Sequence, residues 1–383
     1  MKKWTEKDEA FLIEKFPSWT IIAIAKALGR GVEAVERKAR RLGLKKPETE
    51  ISISTIRDDV QKIIKKEESA NNAKKLKIVT QELLLVEKER DAMLGVGRVE
   101  TYSIKSKEKD GKLSSATAVV LASDWHIEEP VKKSQVNGLN EYNMTIAKER
   151  SEKFFEVVAK LIKVHKKEYN IENLVLALLG DFISGSIHDD LMESNLLPPT
   201  VAIWEAQNLI ASGIEYLLKE TDVNLVIPCS SGNHGRTTDK QRVSTEYGNS
   251  LEILMYHQME KYFAGNPRVK FIINDSYLTY VNIYGFTCRF HHGHALKYGG
   301  GIGGIFIPVF KAISQWDKSK QADWTFFGHF HQLKDGGNFI SNGSLIGFNA
   351  FAVKIKADYE KPKQAFCIID EERGMDVVRK ITL

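Results

Sequence analysis

The chain has 383 residues, 43% of them hydrophobic and 27% charged, with a formal net charge of +5. That length favours two domains over one, and the balance is that of a globular protein, which excludes a disordered or fibrous chain. No apolar run is long enough to span a bilayer, and Met1-Lys2-Lys3-Trp4 opens no secretory signal. Three cysteines (Cys229, Cys288, Cys367) without CxxC spacing exclude a disulfide framework and a thiolate zinc site, so a reducing cytoplasm is expected.

The positive charge is local. Residues 1–48 hold 12 Lys and Arg against 7 Asp and Glu, the whole of the excess, which points to a polyanion partner there. Three short helices are predicted within residues 1–46. Thr5 caps the first with Asp8 at the capping-box position, and Pro17 stops it. Thr20 caps the second, Ile21 to Leu28, which ends at Gly29. The third runs from Val32 to Leu42, with Val32, Val35, Ala39 and Leu42 facing inward. Trp4 and Trp19 are expected to fill the small core. Arg37, Arg40 and Arg41, with Arg30 just before the helix, are expected outward, where a recognition helix meets DNA. The runs WTEKDEAFL, IIAIAKALGR and AVERKARRLGL resemble Myb-like and phage-type helix-turn-helix modules. The resemblance implies DNA binding by residues 1–47; the competing reading is a protein-interaction module with a solvated basic face.

Residues 48–115 read as a connector. Ile56, Val60 and Ile63, then Leu76, Val79, Leu83, Val86 and Met93, recur at steps of three and four, so a long helix or helical hairpin is expected, with a homodimer seam as one reading and a solvated linker as the other. Residues 103–115 are polar and read as a loop.

From Ala116 onward the texture is α/β. Buried strands are predicted at Ala116–Ala122, Asn173–Leu179 and Val223–Cys229. Helices are predicted at 143–167, 199–219 and 244–263. After Val269 the chain turns strand-rich: 269–273, 277–283, 286–290, 324–327 and short strands beyond. Alternation of this kind gives sheet covered by helices, with ligands at strand C-termini. The glycine-rich run at 299–304 lacks the Lys-Ser/Thr of a phosphate-binding loop and reads as a mobile lid or a plain turn.

Chemistry-bearing residues stand at those strand ends: Asp124-Trp125-His126, Gly180-Asp181, Gly232-Asn233-His234, His291-His292-Gly293-His294 and Gly328-His329-Phe330-His331. Five of the ten histidines fall in the last two runs. Asp124, His126, Asp181, Asn233, His292, His329 and His331 make seven O and N donors without a thiolate. That is too many for one tetrahedral zinc, and it suits two metals sharing a carboxylate. Imidazole with carboxylate favours Mn, Fe or Zn over Mg or Ca. A metal pair activates water and clamps the oxygens of an in-line displacement at phosphorus.

This ordered series resembles the calcineurin-like metallophosphoesterases over residues 116–350. The resemblance implies a four-layer α/β/β/α sandwich of two mixed sheets spanning 116–383, preceded here by the helix-turn-helix domain and the helical connector. It implies two divalent metal ions, manganese first, with iron, zinc or magnesium as alternatives. Asp124, His126 and His331 would hold one, Asn233, His292 and His329 the other, and Asp181 would bridge. His234 would act on the leaving oxygen or the scissile phosphate. Carboxylates are expected to fix the imidazole tautomers.

Three departures matter. Many relatives carry an acidic residue after Gly-Asn-His; here Gly235 and Arg236 come next, so the group that orients His234 is open. Arg236 reads equally as a phosphate clamp or a surface charge. His294 reads as a substrate contact or a spare polar loop residue. Break-repair nucleases of the family carry a second histidine soon after Gly-Asp; here Ser184 stands near that place and His188 is next.

Three functions compete: a DNA-directed phosphodiesterase (a nuclease or nicking enzyme), a phosphomonoesterase or small-molecule or cyclic-nucleotide phosphodiesterase localised by the DNA-binding domain, and a DNA-binding or packaging protein with a vestigial metal site. The fusion resembles phage-encoded proteins. The complete donor set argues against the vestigial reading. The expected partners are DNA and a phosphoester, with no membrane.

Overall fold

The computed structural model describes residues 4–45, 101–106, 113–298 and 304–383. The chain divides into two compact units, Met1–Arg98 and Val99–Leu383. The predicted connector helices, and most of the glycine-rich run, lie outside the described residues. Among the described residues no helix is long and apolar enough to cross a membrane.

In the first unit, α1 (Glu6–Lys15), α2 (Ile21–Leu28) and α3 (Val32–Arg41) surround a core of Leu12, Phe16, Ile24, Ala25, Val35 and Ala39. The reciprocal Thr5–Asp8 capping box forms, and Thr20 caps α2 through the Ala23 N–H. Trp4 packs against this core, but Trp19 does not: it is 41% exposed and meets Phe11 edge-on. Val32 is also exposed, because it opens α3 before the helix reaches the core.

The second unit opens with β1 (Tyr102–Ile104), where a loop was expected. It pairs in parallel with β6 (Thr279–Ile283) and buries Ile104. Three residues are too few to show a periodicity, so the pairing is tertiary in origin. The remaining strands are β2 (Ser115–Ala122), β3 (Asn170–Leu178), β4 (Asn224–Cys229), β5 (Val269–Ile273), β7 (Phe286–Phe290), β8 (Trp324–Phe327), β9 (Lys334–Asp335), β10 (Phe339–Ser341), β11 (Lys363–Asp370) and β12 (Gly374–Thr382). They form two mixed six-stranded sheets, ordered β12-β11-β2-β3-β4-β5 and β1-β6-β7-β8-β10-β9.

The four-layer sandwich arises from side-chain alternation. Val119 and Leu121 of β2, Val175 and Ala177 of β3 and Cys367 of β11 face the second sheet, where they meet Val281, Cys288, Phe290, Phe326 and Ile340. Their neighbours Ala118, Val120, Leu174 and Leu176 face outward, under α4 (Met144–His165), α6 (Pro199–Glu220) and α7 (Leu251–Tyr262). Covered on both faces, β2 is buried along its whole length, as parallel central strands are. On the far side, α8 (Phe306–Trp316) packs Val309 and Ile313 against Phe327 and Phe339.

Two further helices lie near the sheet ends: α5 (Asp189–Ser194) and α9 (Ala350–Ile355). Neither these nor α8 was expected from the sequence. The helix predicted from residue 244 begins at Leu251, because 3-10 turns occupy 243–245 and 247–249 and the Ser250 hydroxyl caps α7. All three cysteines are buried and unpaired.

Candidate metal centre

The donors converge where the strands end. Asp124 follows β2, Asp181 follows β3, Asn233 follows β4, His292 follows β7, and His329 with His331 follows β8. The loops approach so closely that side chains between them would collide. A Cβ on Gly232 would lie 2.0 Å from Asp181 Oδ1 and 2.3 Å from Asp181 N. Glycine before Asn233 is thus a condition of bringing the two loops together.

Three donor groups form a chain, each with its ligand atoms within 4.8 Å of one another: Asp124, His126 and His331; His126, Asp181 and His234; Asp181, His292 and His329. Asp181 and His126 link them. Asp181 Oδ2 lies 2.9 Å from His292 Nε2, and Oδ1 accepts the His234 backbone N–H at 2.9 Å. Asp124 accepts the His329 N–H at 2.9 Å, and its Oδ1 lies 3.3 Å from His331 Nε2. Among the described residues Asn233 Oδ1 is buried without a hydrogen-bond partner, an acceptor suited to a cation.

The backbone carries the same signature. Eight non-glycine residues among those described have positive φ, and Asp124, His126, Asp181, His329 and His331 are five of them. Left-handed backbone is disfavoured for residues with a Cβ and gathers where function demands it.

The imidazoles of His126, His292 and His234 are held by neutral groups, where carboxylates were expected. The His292 Nδ1–H donates to the Leu179 carbonyl at 2.6 Å, and His126 Nδ1 meets Ser184 Oγ at 2.9 Å. A carboxylate stands one step back, as Ser184 Oγ also meets Glu129 Oε2 at 2.9 Å. The group orienting His234 is the Ser184 carbonyl, 2.9 Å from Nδ1, which leaves Nε2 to face the centre. Burial holds the pKa values of His126 and His329 well below the ordinary imidazole range. Burial acts on His292 in the same direction, but the charge of Asp181 outweighs it and raises that group to about 10.

Besides Glu129, sequence reasoning missed three carboxylates. Glu128 Oε1 accepts the N–H groups of Ser184 and Gly185, both at 2.8 Å, and burial pushes its pKa up to about 7. Glu252 accepts from Phe182 and Gly232, and burial, then the charge of Asp181, pushes its pKa up to about 8. Glu246 joins Ser231 Oγ at 2.6 Å to His294 Nε2 at 3.1 Å. None is near its partners in sequence, so no local pattern marks them.

Two candidate substrate contacts are otherwise engaged. The Arg236 guanidinium donates to the carbonyls of Thr238, Asn233 and Asp239 at 3.1, 2.8 and 3.3 Å, so it staples its own loop. His294 is buried against Tyr277 and Glu246. In the first unit Arg37, Arg40 and Arg41 are exposed. Arg30 is not outward: its side chain is 8% exposed, 2.7 Å from Asp8 Oδ2, with its guanidinium 4.4 Å from the Trp4 ring centre. The negative capping residue and the indole face together draw it in.

The donor set fits divalent cations. Carboxylate oxygens and imidazole nitrogens converge, the buried amide oxygen of Asn233 stands on the adjoining loop, and the second nitrogens of His126 and His292 are fixed as metal-ligating histidines require.

No protein-family model matches the chain, and no curated protein sequence matches it. Among solved structures, the chain is similar to a dimetal phosphatase from Danio rerio, at 10% identity and a TM-score of 0.34, over 70% of this chain and 98% of that one. It is similar to Vps29 from Chaetomium thermophilum at 9% identity and a TM-score of 0.26, over 69% and 95% of the two chains. A hypothetical protein from Pyrococcus horikoshii aligns at 11% identity and a TM-score of 0.33, over 70% and 88%.

Proposed function

We propose that the second unit is a two-metal phosphoesterase and that it acts on DNA phosphodiesters. One observation carries the metal reading: Asp181 belongs to two donor groups at once, with one oxygen toward His292 and the other at the His234 loop. A carboxylate so placed would be shared by two cations. Asp124, His126 and His331 would hold one and Asn233, His292 and His329 the other. When bound, such ions activate water and neutralise charge developing on the phosphoryl oxygens.

The chain's own residues supply the rest. His234 touches the Ser184 carbonyl through Nδ1, so Nε2 is the atom that protonates the leaving oxygen or steadies the phosphate. Buried Trp125 and Phe182 pack edge-on behind the centre and fix the loops that carry Asp124, His126 and Asp181. In the first unit, exposed Arg37, Arg40 and Arg41 on one helix support a DNA partner.

A second reading has its own support. The His188 ring lies 6.1 Å from that of His234, and exposed Asp189 and Asp190 come directly after it. Carboxylates at that edge oppose a polyanion and favour a small ester, with the first unit serving for localisation.

An assay in Mn²⁺ separates the readings, using supercoiled plasmid and single-stranded DNA beside bis-p-nitrophenyl phosphate and p-nitrophenyl phosphate. Cleavage of DNA and of the diester, lost in His234→Ala, is expected. Turnover of the monoester alone would replace the DNA reading by the second one. No metal-dependent turnover of any of these substrates would remove both.

A further inference from the structure

Helix α7 delivers a carboxylate that the proposed chemistry does not use. Glu252, its second residue, is fully buried. Its Oε1 accepts the Phe182 N–H at 2.8 Å, and its Oε2 accepts the Gly232 N–H at 2.6 Å. Phe182 follows Asp181 directly, and Gly232 directly precedes Asn233. One side chain therefore ties the loop that ends β3 to the loop that ends β4. Both oxygens are committed to backbone, so Glu252 is not itself a metal ligand.

The glycine after His234 is explained by the same side chain. A Cβ on Gly235 would lie 2.8 Å from Glu252 Cγ and 3.2 Å from Cδ. No side chain at 235 fits while Glu252 holds this place. The volume beneath the Gly-Asn-His loop is filled from α7 and not from the loop itself.

We propose that Glu252 is the positioning residue of the metal centre, holding Asp181 and Asn233 at a fixed separation by clamping the backbone beside each. This rests on the metal reading given above. In its ionised form a carboxylate is suited to the task because it accepts two N–H groups that diverge from one point and offers no donor to repel either. The corresponding amide keeps the volume but has one acceptor, and its NH₂ group must face one of the two N–H donors.

The test is Mn²⁺ titration of the full chain by calorimetry and electron paramagnetic resonance, beside far-UV circular dichroism. Glu252→Gln is expected to keep its secondary structure, to bind Mn²⁺ about 10–100-fold more weakly, and to change the resonance of the bound ions. The reciprocal variant moves the carboxylate: Glu252→Ala empties the volume, and adding Gly235→Asp points a carboxylate into it from the facing loop. The pair is expected to bind Mn²⁺ more tightly than Glu252→Ala alone, and more tightly than Glu252→Ala with Gly235→Asn, which refills the same volume with one acceptor oxygen fewer. Wild-type affinity in Glu252→Gln, or no recovery in the pair, overturns the proposal. Should Glu252→Gln fail to fold, the pair decides alone. Wild-type protein that binds no Mn²⁺ would sink the metal reading and this inference together, a result distinct from a failure confined to the variants.

Discussion

The Nε2 atoms of His126 and His331 face each other across 3.2 Å. Burial depresses the pKa of His126, whereas for His331 the hydrogen bond to Asp124 and the charge of that carboxylate outweigh burial and raise it. In the metal-free protein the proton between them therefore belongs to His331, and His126 accepts. A cation taking that place displaces the proton, so metal uptake releases protons and weakens as the pH falls. Mn²⁺ calorimetry at pH 6 and pH 8, in buffers of different ionisation enthalpy, measures both effects. Equal affinity at the two pH values would count against His331 as a ligand.

Asp181 and His234 are expected to fail differently. Asp181→Ala removes the shared donor, so metal content and turnover fall together. His234→Ala leaves every proposed ligand in place and is expected to keep its metal while losing about 10²–10⁴ in rate. Metal analysis of both purified variants, beside turnover of the diester, checks the contrast. Full activity in Asp181→Ala would end the two-metal reading.

The arginines of the first unit divide into two kinds. Arg40→Ala and Arg41→Ala are expected to weaken DNA binding and to lower the salt slope by about 0.9 for each phosphate no longer neutralised. Arg30→Ala removes the contacts to Asp8 and Trp4, so its expected effect is on stability, about 1–2 kcal/mol. Fluorescence anisotropy of a labelled duplex across a salt series reads the first effect, and limited proteolysis of the full chain within residues 4–45 reads the second. A salt slope unchanged in the Arg40 and Arg41 variants would turn the unit into a protein-interaction module.

Asp370 offers a stability test remote from the metal centre. It closes the turn between β11 and β12 by accepting the N–H groups of Glu372 and Arg373, both at 2.9 Å, with Ser114 and the Arg373 guanidinium beside it. Burial raises its pKa, but Arg373 and Ser114 outweigh that and hold it well below the usual carboxylate range. A depressed folded value contributes stability above the unfolded pKa of about 3.9, and that contribution is lost as pH falls through the folded value. Asp370→Asn is thus expected to cost about 1–3 kcal/mol at pH 7 and less at pH 3. Urea denaturation at both pH values measures the difference. A gap that stays constant with pH would show that the charge has no part in it.

The donors were legible because each comes after an apolar run that could only be a buried strand, and strand ends are where such sheets place chemistry. Asp124, Asp181 and His292 could be placed this way without knowing which strands pair. The groups that hold them could not. Ser184 serves His126 and His234 through two different atoms, and Glu252 reaches Phe182 from 70 residues away. Local pattern also misplaced Arg30, since its place just before α3 gave no sign of the contacts with Asp8 and Trp4 that turn it in. Helix α8 was missed because its apolar content resembles that of the strands around it.

The left-handed backbone at Asp124, His126, Asp181, His329 and His331 sets two demands against each other. Each such residue costs on the order of 1–2 kcal/mol, and the sum approaches the whole net stability of a domain, about 5–15 kcal/mol. Glycine at any of these positions would relax the chain and delete a donor in one change. His329→Gly is therefore expected to melt above the wild type when both are stripped by chelator, and below it when Mn²⁺ is saturating. Crossing melting curves of that kind would mark a protein whose resting fold carries a tension that bound ions would offset.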